Sequence, residues 1–105
     1  MITLTGESDA YTAPRVRSDL ATALGSEAPL LVDLTGATFI DSTIVGILLE
    51  SLAACEKRER PLLLLLPDEA APEIHRLFEI TGLGALLPVV RSWDEASARL
   101  DAPPA

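Results

Sequence analysis

The chain has 105 residues, one domain's worth of sequence, and its 49% hydrophobic content places it among globular rather than disordered chains. Its 16 acidic and 8 basic residues give a net charge of −8, which repels phosphate backbones and anionic lipid and argues against nucleic-acid or membrane-surface binding. The single cysteine, Cys55, excludes an internal disulfide and a multi-cysteine zinc site, and it fits a reducing, cytoplasmic setting.

Ile2 to Leu4 alternates with threonine and reads as a short strand, and Gly6-Glu7-Ser8-Asp9 reads as the turn after it. Pro14 stands at a first-turn helix position with Thr12 as its cap, and Val16, Leu20 and Leu24 then recur at helical spacing until Gly25. Leu30 to Leu34, behind Pro29, is a short apolar run and reads as a buried strand. Thr35 to Thr38 turns the chain into Phe39-Ile40. Asp41-Ser42-Thr43 has the short oxygen-bearing side chains that satisfy free amides at a helix start. Ile44, Ile47, Leu48, Leu52 and Cys55 form the apolar stripe of that helix, which runs out in Glu56-Lys57-Arg58-Glu59-Arg60 and stops at Pro61. Leu62 to Leu66 is the most apolar strand candidate, expected to be buried on both faces; as the longest apolar run, it is far too short for the roughly 18–20 residues that span a bilayer. Pro72 opens a third helix carrying Ile74, Leu77 and Phe78, closed at Gly82. Val89-Val90 is a brief strand, and Ser92 and Glu95 stand at capping-box spacing before a last helix through Leu100.

This alternation predicts a single α/β domain over residues 1–101, with a largely parallel four- to five-stranded sheet, about four helices and right-handed crossovers. Residues 102–105, with two prolines, read as a flexible tail. The N-terminus, MITLTGESD, lacks the basic and apolar regions of a signal peptide.

Enzyme chemistry finds little to work with. His75 is the only histidine, has no companion at ligand or triad spacing, and reads as a surface or boundary residue. Gly82-Leu83-Gly84 follows a helix rather than a strand and reads as a helix stop, not a phosphate loop. Cys55 reads as a small buried residue, the Lys57-Arg58-Glu59-Arg60 run as a solvated helix end, and Trp93 as packed back on its own helix. A receiver-type reading of Asp33 needs an acidic pair and a late lysine, and the only lysine is Lys57. No catalysis and no cofactor are expected.

One segment remains, Phe39-Ile40-Asp41-Ser42-Thr43-Ile44-Val45-Gly46, which places an acid and two hydroxyls at a helix mouth. A helix cap accounts for one of these three groups. A regulated phosphoacceptor is the sharper reading, because free amides and the helix dipole favour negative charge there. Phosphorylation adds about −1.5 to −2 charges at pH 7, enough to break docking on a partner selected for the neutral hydroxyl.

These pieces together resemble a STAS domain of the anti-sigma factor antagonist type. The matching stretches are G-E-S-D at Gly6 to Asp9, Y-T-A-P at Tyr11 to Pro14, L-V-D-L-T-G at Leu31 to Gly36, F-I-D-S-T-x-x-G at Phe39 to Gly46, and I-T-G-L at Ile80 to Leu83. The resemblance implies a cytoplasmic bacterial regulator that, when unphosphorylated, binds an anti-sigma factor of the serine/threonine kinase type and so releases a sigma factor. It implies phosphorylation at Thr43, with Ser42 as the second choice, and resetting by a phosphatase of the PP2C type. It places Asp9, Tyr11, Thr12, Asp41, Ser42, Thr43 and Ile44 on the docking face. Two departures stand out. Ile44 replaces the first glycine of the family's D-S-S-G-L-G, which puts a β-branched side chain beside the acceptor. The family's leading strand is short or missing, which exposes a sheet edge and leaves a homodimer open. The alternative reading within the family is a subunit docking on a lipid-transport ABC system, with Thr43 as a contact rather than a substrate.

Overall fold

The computed structural model describes residues 2–25 and 28–101; the expected tail at 102–105 lies outside the described residues. The elements in chain order are β1 (Ile2–Thr3), β2 (Gly6–Ser8), α1 (Ala13–Leu24), β3 (Leu30–Asp33), β4 (Ala37–Ile40), α2 (Ser42–Lys57), β5 (Leu62–Leu65), α3 (Pro72–Thr81), α4 (Leu83–Leu86), β6 (Val89–Val90) and α5 (Trp93–Asp101). The α/β class with a parallel sheet is as expected.

β1, β3, β5 and β6 form one four-stranded sheet in that order, every pair parallel. Leu30 to Asp33 lies against Leu62 to Leu65 residue for residue. Because side chains alternate across a strand, each apolar run feeds two cores. Leu30, Val32, Leu34, Leu62, Leu64 and Leu66 join the larger cluster with α1, α2 and α3, through Val16, Leu20, Ile44, Leu48, Ile74 and Phe78. Leu31, Leu63, Leu65 and Val90 meet Ala96 of α5 on the opposite face. The five leucines Leu62 to Leu66 are all buried, as a strand covered on both faces requires.

Three local readings are corrected. Gly6-Glu7-Ser8 is a strand, not a turn: β2 pairs with β4 in a separate parallel two-stranded sheet, with a register shift between Gly6 and Glu7. Gly6 takes a positive φ of 63° at that irregularity, a backbone conformation glycine adopts without penalty. Pairing with Phe39 and Ile40, distant in sequence, overrode the local turn signal. Second, the chain after Gly82 does not simply stop but makes the short helix α4, so there are five helices among the described residues. Third, Trp93 stays half-exposed rather than folding away.

The charged end of α2 is also more than a solvated run. Arg60 donates from Nη1 to the Leu24 carbonyl at 3.1 Å, from Nη2 to Ala23 at 3.2 Å and from Nε to Ala28 at 2.9 Å. Arg58 also donates to Leu24. Two guanidiniums thus bond the last two carbonyls of α1, Ala23 and Leu24, adding to what the Gly25 amide supplies to that turn. Cys55 sits beneath them, fully buried. Burial raises its thiol pKa above the ordinary 9.0, with Arg60 and Arg58 pulling the other way.

Candidate functional site at the mouth of the second helix

β2 and β4 run parallel, so the chain leaves both at the same edge, where loops beyond strand carboxyl ends commonly carry function in α/β folds. The Asp41 amide donates to the Ser8 carbonyl at 3.2 Å, which fastens the start of α2 to the loop that leads into α1. The sequence stretches Asp9 to Thr12 and Asp41 to Thr43 therefore meet in space, as a common docking face requires.

At α2, Asp41 is the cap: its backbone is extended and its Oδ1 accepts from the Ile44 amide at 3.1 Å. Ser42 and Thr43 follow, both exposed, and neither hydroxyl has a hydrogen-bond partner among the described residues. No acidic side chain occupies the first turn of the helix itself, and the nearest basic one on it is Lys57, in the last turn. The arrangement leaves an exposed alcohol at the positive end of a 16-residue helix.

At the neighbouring mouth the hydroxyl is used up. The Asp9 amide donates to Thr12 Oγ1 at 2.9 Å, and Thr12 Oγ1 donates to the Asp9 carbonyl at 3.1 Å. Asp9 Oδ1 accepts from the Tyr11 amide at 2.9 Å and from the Thr12 amide at 3.4 Å. Thr12 is thus not the side-chain cap expected of it; Asp9 starts the turn and Thr12 reaches back to it, in the manner of a capping box. Between these two residues stands Tyr11, 94% exposed.

The expected docking residues therefore separate by role. Tyr11, Ser42 and Thr43 are exposed; Asp9, Thr12 and Asp41 are half-buried and build the two turns. Ile44 does not belong to the face: it is fully buried in the larger core cluster. Successive helix residues diverge by about 100°, so the side chain next to an outward Thr43 turns inward, and the β-branched residue does not crowd the hydroxyl.

Two features of this region were not read as functional from the sequence. Gly46, one turn beyond Thr43, has a negative φ and open space where a Cβ would stand, so neither conformation nor packing within the chain calls for glycine there. Its position in the F-I-D-S-T-x-x-G stretch was the available signal. Phe39 and Ile80 are 46% and 76% exposed and flank a groove between β4 and α3; only the strand pairing of Phe39 and the packing of α3 on β4 bring them together.

Other candidate groups are engaged elsewhere. His75 Nε2 lies 3.0 Å from the Pro67 carbonyl, beside an open cleft of about 460 Å³ that also contains Arg91, whose Nη1 donates to the Leu66 carbonyl at 3.4 Å. Among the described residues, no group of three or more His, Cys, Asp or Glu side chains could hold a metal ion, and no helix is long and apolar enough to cross a membrane.

The fold matches solved anti-sigma factor antagonists. One from Mycobacterium paratuberculosis is 25% identical and superposes with a TM-score of 0.76 over 95% of this chain and 83% of its own. The Bacillus cell fate determinant SpoIIAA in its phosphorylated form is 26% identical, with a TM-score of 0.65 over 92% of this chain and 86% of its own. In sequence, an anti-sigma-B factor antagonist of Listeria monocytogenes is 35% identical over 89 residues, 84% of this chain and 75% of that protein. The family model described as "Mlab, STAS domain" matches residues 1–88, and the chain belongs to the STAS domain family. The Listeria and Mycobacterium relatives are named anti-sigma factor antagonists, which does not favour the transporter-docking alternative.

Proposed function

We propose that this chain is an anti-sigma factor antagonist whose state is written on Thr43. Unphosphorylated, the face formed by Tyr11, Ser42 and Thr43 binds an anti-sigma factor of the serine/threonine kinase type, and a sigma factor is released. The kinase transfers the γ-phosphoryl group of ATP to Thr43 Oγ1; the hydroxyl proton leaves, ADP departs, and docking ends. A phosphatase of the PP2C type hydrolyses the ester and restores binding. The domain acts as a non-catalytic switch in the cytoplasm.

The observation that carries this reading is the exposed, unbonded hydroxyl of Thr43 on the first turn of α2. A kinase needs an acceptor oxygen that is free to enter its active site, and the helix amides then tolerate the dianion. Asp9 and Asp41 flank the mouth and the first turn has no basic side chain, so the added charge is not neutralised locally and meets the partner directly. Gly46 supports the same reading. A mid-helix glycine costs roughly 0.5–1 kcal/mol relative to alanine, and the open space beside it lets a partner's backbone approach close to Thr43.

The test is phosphate-affinity electrophoresis with purified serine/threonine-kinase-type anti-sigma factors from the source organism and ATP. The wild-type band slows and the Thr43→Ala band does not. A slowed band in Thr43→Ala that disappears in Ser42→Ala moves the switch to Ser42. No slowed band with any kinase removes the switch.

A further inference from the structure

We propose that the groove between β4 and α3 is a second, phosphate-independent contact for the same anti-sigma factor, holding an apolar side chain that projects from a basic surface. This rests on the function proposed above. The groove encloses about 290 Å³; Ile40 and Ile74 belong to its buried part, Phe39, Leu77 and Ile80 are its more accessible apolar walls, and Glu73 and Arg76 line it as well.

Of these walls, Phe39 and Ile80 stand outside the buried core cluster and the side chains packed against it. The core beneath α3 is made by Ile74 and Phe78, both buried. The end of α3 is set by Gly82, at a φ of 71°, and not by Ile80. Phe39 leaves nearly half of its surface in water on a strand whose neighbours Ala37 and Ile40 already fill the interior. Contiguous apolar side chains left in water on a small, highly charged domain mark an interaction surface.

Continuity and charge name the occupant. Phe39 is two residues before Asp41, the cap of α2, so a partner seated on Thr43 reaches the groove along the same strand-to-helix junction. Glu73 lines the groove, Glu7 is the register partner of Phe39, and Asp41 follows two residues after Phe39, against the bases Arg76 in the groove and Arg15 in the cleft beside Glu7. A second copy of this chain brings another −8 to the contact and is repelled, whereas a basic partner surface is attracted. The division of labour also suits a kinase that must hold its substrate: the groove supplies affinity that the phosphoryl group does not touch, and Thr43 supplies the switch.

The experiment uses the full chain with each serine/threonine-kinase-type anti-sigma factor of the source organism, purified, and reads affinity by calorimetry and phosphorylation kinetics. Ile80→Asp and Phe39→Ala alter exposed side chains, and Trp93→Ala on α5 serves as the distant control; thermal melts verify that each is folded. The expected result is an affinity loss of at least tenfold for Ile80→Asp, a similar rise in KM with kcat kept, a smaller loss for Phe39→Ala, and wild-type behaviour for Trp93→Ala. Wild-type affinity in both groove variants, while Thr43→Asp loses binding, overturns the groove and leaves the switch standing. Loss in the groove variants with Thr43→Asp unaffected supports the groove and overturns the switch. Absence of binding by every kinase overturns both. A wild-type dimer in sedimentation that Ile80→Asp dissociates, with partner affinity unchanged, makes the groove a self-interface and overturns the proposal.

Discussion

Two helices begin side by side at one edge of the molecule, each behind a parallel strand and each at an aspartate. At α1 the turn is closed on itself: Asp9 accepts from two amides, and the Thr12 hydroxyl is held by both its donor and its acceptor capacity. At α2, Asp41 makes a single capping bond and the Thr43 hydroxyl is left over. The two threonines have the same chemistry and nearly the same distance from a helix start. Of the two, only Thr43 is exposed and without a hydrogen-bond partner among the described residues. A hydroxyl spent on structure is protected from modification, and a mouth that needs just one oxygen for its cap can present the next one to a partner.

The largest expected effect breaks the symmetry at Thr43. Thr43→Asp lowers anti-sigma factor affinity at least 100-fold, about 2.7 kcal/mol, while its denaturation midpoint stays within about 0.5 kcal/mol of wild type. Peptide mapping after the kinase reaction finds phosphate on Thr43 and none on Thr12; phosphate on Thr12 would show that the closed turn protects nothing. Next in size, Asp9→Ala removes an acceptor used by two amides and costs about 1–2 kcal/mol in denaturant unfolding. Asp41→Ala, which loses one bond, costs about 1 kcal/mol. The reverse order would mean that the two mouths are not built as described.

Gly46→Ala sharpens the contrast by separating stability from function. It raises stability by roughly 0.5–1 kcal/mol, since the added methyl meets open space, and it weakens partner binding on the face shared with Thr43. A stabilised variant with unchanged affinity would detach Gly46 from the docking face. The smallest effect concerns the far end of α2, where Cys55 is sealed beneath Arg58 and Arg60. Its folded-state pKa is raised, so the protonated thiol is favoured in the native state. That contribution is complete below pH 9.0 and is lost as pH rises from there through the folded-state value. Wild type therefore loses stability above pH 9 more steeply than Cys55→Ala, measured by denaturant midpoints across the alkaline range.

Much of the architecture was legible in the residues. Leu30 to Leu34 and Leu62 to Leu66 are apolar at every position but Asp33, which only strands covered on both faces tolerate. Pro14, Pro72 and Gly82 mark helix limits through backbone geometry alone, so their signals survive any tertiary context. The strand at Gly6 to Ser8 was not legible: three residues beginning with glycine have no periodicity, and only pairing with β4 makes them a strand. Ile44 was misplaced for a related reason. Motif adjacency put it beside Thr43, whereas helical rotation sends the two to opposite environments.

By itself, the sequence determined which segments are apolar, where helices start and stop, and that an acid and two hydroxyls share one helix mouth, because these follow from side-chain chemistry and local backbone preference. Only the tertiary structure decided that Gly6 to Ser8 is a strand, that the two helix mouths meet at one edge, and that Phe39 and Ile80 flank one groove. Those outcomes depend on strand pairing and helix packing between residues far apart in the chain, and no local preference encodes them.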